Sequence, residues 1–201
     1  MGLSLRRYRV PLLFLIAAAL QPLAAAAREA ESSAAGSPAS GARPSSQVVE
    51  DWVAMVETLV VGAADAMPAD KYPFTPTGGE FAGMRTFAQQ VKHAAACNYI
   101  LGAAVLGEPP PADAGDETGP EAVRTKPEIM KYLTGSFAYL HKAAAAVDPP
   151  NAIVKSSPIS PLSGKATRLG LAIETLLHAM DHYGQMVEYL RMNGVVPPAS
   201  R

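Results

Sequence analysis

One cysteine, Cys97, stands among 201 residues. An internal disulfide and a paired-cysteine metal or redox site are therefore excluded. Aromatic residues make up only 6% of the chain while alanine is abundant, a balance that favours closely packed helices over a sheet. Neither sign of charge dominates, with 17 Lys and Arg against 18 Asp and Glu. A nucleic-acid binder presents a basic stripe, so nucleic acid is not an expected partner. No polybasic membrane patch occurs beyond the extreme N-terminus. A glycine-rich phosphate loop and a serine nucleophile elbow are also missing.

What is present begins with a basic start at Arg6, Arg7 and Arg9. An apolar run follows from Val10 to Leu20, then small residues to Ala27. Ala25 and Ala27 fit the small-x-small rule for cleavage, so residues 1–27 read as a cleaved secretory signal. The run is interrupted by Gln21-Pro22 and is short for a membrane span, so no stable membrane anchor is expected after cleavage. No cysteine lies near the cut, which argues against a lipid anchor. The expected location is the periplasm or the exterior of a bacterial cell. Residues 28–46 are mostly Ala, Ser, Gly and Pro and read as a flexible, disordered linker. The folded domain is expected over 47–201.

Four segments of that domain carry helical periodicity. The first runs from about Gln47 to Met67, with Val49, Trp52, Val53, Val56, Leu59 and Val60 as its inward stripe. Pro68 ends it. The second runs from about Met84 to Leu106, with Met84, Phe87, Val91, Ala94, Ala95 and Asn98 inward and His93 beside them. The third starts at Lys126-Pro127 and reaches about Val147, burying Ile129, Leu133, Phe137, Leu140 and Ala144. The fourth runs from about Lys165 to Asn193, where Asn193-Gly194 and then Pro197-Pro198 supply a stop. Four helices of roughly 20 residues with no strand pattern predict an all-α four-helix bundle. The long proline-rich connections predict crossovers in it.

Two of the four histidines, His178 and His182, are four residues apart on the fourth helix. Their side chains share a face, with about 6 Å of axial rise between them, and two imidazoles so placed converge on one metal ion. A third ligand is needed. His93, midway along the second helix, is the best placed to meet them across the bundle. Three neutral histidines leave an open position on a zinc-like ion. The competing reading is a set of ordinary hydrogen-bonded core histidines. Burying three unpartnered imidazoles costs several kcal/mol, so an inward-facing triad calls for a ligand. His141 has no partner at helical spacing and is expected to face solvent or have its N–H satisfied. Cys97 reads as a small buried hydrophobe. Glu174, Asp181 and Gln185 are candidates for supporting contacts, with Glu174 also considered as a fourth ligand or general base.

The run Thr167-Arg168-Leu169-Gly170, then His178-x-x-Asp181-His182-Tyr183-Gly184-Gln185, then Tyr189-Leu190-Arg191-x-Asn193-Gly194, resembles the DinB/YfiT-like superfamily. So does Met84-Arg85-Thr86-Phe87 followed by Gln90-Val91-x-His93. The resemblance implies a four-helix bundle of DinB-like crossover topology and a divalent metal on His93, His178 and His182. Relatives implied by it include thiol-dependent transferases, a maleylpyruvate isomerase and metal-dependent hydrolases.

The combined expectation is an exported DinB-like metalloprotein. It would hold a divalent ion, zinc or nickel, through His93, His178 and His182, and act as a hydrolase or group transferase on an unknown small molecule. The alternatives are a non-enzymatic metal- or ligand-binding bundle and a homodimeric interaction module with incidental histidines.

Overall fold

The structure, a computed structural model, describes residues 41–162 and 166–201. The expected signal over 1–27 and the linker up to residue 40 lie outside the described residues. Among the described residues four helices follow one another: α1 (Ser45–Ala66), α2 (Phe87–Leu106), α3 (Lys126–Ala145) and α4 (Arg168–Met192). Single 3-10 turns occupy Ala69–Lys71 and Pro198–Ser200. All four helices belong to the compact unit Arg43–Arg201. No helix among the described residues is long and apolar enough to cross a membrane.

The valine spacing of α1 produces its buried stripe: Val49, Val53, Val56 and Val60 all face the core. Trp52 does not join them. It is 53% exposed, because the stripe advances by four residues from Val49 to Val53 and leaves Trp52 at its edge. The helix also begins two residues before Gln47. The Asp148 carboxylate accepts from the Ser46 backbone N–H at 3.2 Å and from its hydroxyl, supplying an N-terminal cap from a distant loop.

The other starts are set by threonines. Thr86 and Gln89 form a reciprocal capping box, with the Thr86 N–H donating to Gln89 Oε1 at 2.8 Å and the Gln89 N–H to Thr86 Oγ1 at 3.2 Å. The cap places Met84 outside α2, where it is 37% exposed. The Thr125 N–H donates to Glu128 Oε2 at 2.8 Å at the head of α3. Thr167 Oγ1 accepts from the Gly170 N–H at 3.0 Å at the head of α4, so that helix starts three residues after Lys165. Gly107 ends α2 with a φ of 76°, a left-handed conformation that glycine adopts without strain.

Helices α1 and α2 each pack against both α3 and α4. The pairs α1/α2 and α3/α4 therefore lie across the diagonals of the bundle. The connections 67–86 and 146–167 each cross from one corner to the opposite one, which explains their length. In the core, Val91, Leu133, Phe137, Leu171, Met186 and Leu190 are fully enclosed. Phe87 packs edge-on against Tyr72 with ring centroids 5.3 Å apart. At the α2–α3 contact a Cβ on Gly102 would meet Leu140 Cδ2 at 3.1 Å and Tyr139 Cδ1 at 3.2 Å, so the missing side chain permits the close approach. One consequence matters for the site: α2 and α4 are neighbours, and their facing surfaces carry the three candidate ligands.

Candidate metal centre

The inward face of α2 is apolar except for Gln90, His93 and Asn98, all buried. Asn98 donates to Ser136 Oγ at 3.1 Å across the α2–α3 contact. Gln90 and His93, one turn apart, look instead towards α4. From that helix His182 faces Gln90 and His178 faces His93. His178 Nε2 lies 3.3 Å from His93 Nε2 and 3.2 Å from His182 Nε2. Three imidazole nitrogens held tetrahedrally at zinc–nitrogen lengths would stand about 3.3 Å apart. The three rings meet edge to face, with centroids 4.5–5.1 Å apart.

The protons can be placed from the partners. His93 Nδ1 stands 2.6 Å from the Glu117 backbone carbonyl. A carbonyl only accepts, so Nδ1 carries the hydrogen and Nε2 keeps a lone pair. His182 Nδ1 stands 2.8 Å from Gln90 Oε1. The polarity of that amide is fixed by a relay: Gln90 Nε2 donates to Gln185 Oε1 at 2.6 Å, and Gln185 Nε2 donates to Asp181 Oδ2 at 2.9 Å. Its end is a carboxylate, which only accepts. His182 is therefore also an Nδ1–H imidazole, and its Nε2 lone pair points at the same spot as that of His93. His178 Nδ1 is buried without a protein partner, so that ring is held by packing and by its Nε2 side.

Burial pushes all three rings towards the neutral form. His178 is lowered to about 4, first by burial and then by the neighbouring His93. His182 is lowered to about 3, again first by burial and then by His178 and His93. Burial lowers His93 as well, partly opposed by the Glu117 carbonyl. The positive charge of Arg85 acts downward on each ring. Neutral imidazoles with convergent lone pairs are what a divalent cation requires. Without one, a proton on His178 Nε2 can satisfy only one of its two contacts. The donor set, its spacing and its protonation therefore fit a divalent ion.

The remaining candidates fall into place around this cluster. Cys97 sits 3.8 Å from both ring nitrogens of His93. Burial raises its thiol to about 12, and with Glu117 it forms a second potential donor group around His93. Glu174 is not among the convergent donors; its carboxylate accepts from Ser160 Oγ at 2.6 Å. Asp181 makes no hydrogen bond to an imidazole; it ends the relay through Gln185 and acts on His178 by its charge. His141 lies elsewhere, its Nδ1 2.6 Å from Glu50 and its Nε2 2.9 Å from Glu57. Sequence reasoning missed Gln90 and the Glu117 carbonyl. Gln90 had a signal, a polar residue one turn before His93 on an apolar face; the loop path that brings in Glu117 had none. Beside the cluster opens a pocket of about 590 Å³ bordered by His178 and Cys97.

Comparison with the curated proteins finds no match. The family model of the DinB superfamily matches residues 54–186, a span covering most of the bundle and all three clustered histidines. This chain belongs to the DinB superfamily.

Proposed function

We propose that this chain is an exported metalloprotein in which His93, His178 and His182 hold a divalent ion, zinc or nickel, for hydrolysis or group transfer on a small molecule. The observation that carries the reading is the convergence of three Nε2 atoms, with the ring protons of His93 and His182 directed elsewhere. A divalent cation there supplies Lewis-acid chemistry. The chain does the positioning: the Glu117 carbonyl and the Gln90 amide hold two rings in the tautomer that presents Nε2. The adjoining pocket favours chemistry over a purely structural ion, because it brings a small molecule up to His178. The apolar N-terminal run and Ala25-x-Ala27 support export.

The test is elemental analysis of protein purified from its own compartment, compared with H182A produced alongside. The expected result is about one divalent ion per chain and loss of most of it in the variant. Full metal content in H182A would overturn the assignment.

A further inference from the structure

The pocket beside the histidines is walled by Leu101, Ile159, Leu162, Ile173 and Leu177. Its volume of about 590 Å³ lies in the range that encloses a whole small organic molecule. Polar groups are few there: Glu117, Glu174, His178 and the Cys97 thiol. Along α4 they fall into register with the apolar ones. Ile173 and Leu177 form one i, i+4 row, and Glu174 and His178 form the adjacent row, each with one helical turn between its members. A molecule lying along α4 thus meets hydrocarbon on one side and, at its inner end, the ring of His178. Leu162, Ile173 and Leu177 are 41%, 46% and 67% exposed, so large aliphatic surface is left uncovered at the pocket. The carboxylates of Glu117 and Glu174 oppose an anionic body.

Resting on the metal centre proposed above, we infer that the site takes a neutral substrate with one hydrocarbon body, an alkyl or aryl chain lying along Ile173 and Leu177, and a polar reacting group placed at His178. The body supplies binding through burial of apolar surface. The single polar end fixes orientation.

The test uses the zinc-loaded full chain and two probes, acetohydroxamic and octanohydroxamic acid, titrated by calorimetry. They share the metal-seeking head and differ only in the chain. Octanohydroxamate is expected to bind about 100-fold tighter. L162D alters an exposed residue of this pocket and is expected to weaken octanohydroxamate about tenfold while leaving acetohydroxamate unchanged. M55D alters the neighbouring cleft, which also uses Ile173 and Leu177 but is otherwise lined by Trp52, Met55, Val56, Leu176 and Met180, and is expected to change neither. Equal affinity for the two probes, or a loss in M55D in place of L162D, overturns the substrate class while acetohydroxamate binding leaves the metal centre standing. A neutral apolar dye, N-phenyl-1-naphthylamine, reads the pocket without metal. Should zinc fail to bind, the proposed centre falls, and the dye alone decides: binding abolished by L162D supports the pocket, and binding unaltered in L162D overturns it.

Discussion

Gln90 Oε1 on α2 lies 2.8 Å from His182 Nδ1 on α4, so an amide on one helix sets the tautomer of a candidate ligand on the other. Gln90 is only 2% exposed and water cannot easily replace it. Q90L removes the acceptor and also strands Gln185 Oε1. We expect metal affinity to fall about 10- to 100-fold and stability to fall by about 1–3 kcal/mol. Q90E keeps an acceptor for His182 and should retain more affinity than Q90L. Competition with a chelator at neutral pH measures both. Equal affinity in wild type and Q90L would show that the relay does not orient the site.

Metal removal should be felt by the whole bundle. His93 and the His178–His182 pair come from different helices, so the three-ligand arrangement exists only in the folded chain. An ion that binds only that state stabilises it by mass action. Chelation is therefore expected to lower the thermal midpoint of the wild-type protein and to leave that of H182A unmoved. A wild-type midpoint unchanged after verified metal removal would separate the ion from folding.

The chelated protein should also be acid-sensitive. In the fold His178 and His182 titrate near 4 and 3, below the ordinary histidine value of about 6.5. Stability from these depressed groups is present above that ordinary value. It is lost as pH falls, because the unfolded chain takes up protons the folded one refuses. Urea midpoints of chelated protein should decline from about pH 6.5 towards pH 4, and less steeply in H178A. Equal slopes would show that the buried rings are not the source.

The helices were legible in the sequence because valine, leucine and phenylalanine recur at their spacing and prolines mark the ends. Trp52 and Met84 were misplaced because periodicity registers hydrophobicity alone: Trp52 lies at the edge of the stripe, and Met84 keeps the spacing but precedes the capped start of α2. The correct start of α2 was available in Thr86-x-x-Gln89, a capping signature. The histidines were legible because His178 and His182 share a helix face. What joins them to α2 was less so. The Glu117 carbonyl is a backbone group in a loop, and no side-chain pattern announces it. The relay through Gln90 and Gln185 depends on the crossover that makes α2 and α4 neighbours.

Export has a direct chemical readout. Cleavage after Ala27 leaves a chain beginning at Arg28. N-terminal sequencing of protein recovered from the periplasm or medium is expected to start there. Protein recovered from that compartment with Met1 intact would rule out the cleavage.

The fourth histidine gives a pH dependence of opposite sign. The His141 ring on α3 sits between Glu57 and Glu50 of α1. The hydrogen bond to Glu57, with that to Glu50, raises its pKa above 6.5 against the opposing effect of burial. A raised folded value means that the protonated ring stabilises the fold. That contribution is full below the ordinary histidine pKa and disappears as pH rises through the folded one. The side chain is 30% exposed, so solvent screens part of it. H141Q should therefore be less stable than wild type at about pH 6, with the gap narrowing by about pH 9, as read from urea midpoints. A gap that stays constant across this range would assign His141 to packing and hydrogen bonding, with no part for its charge.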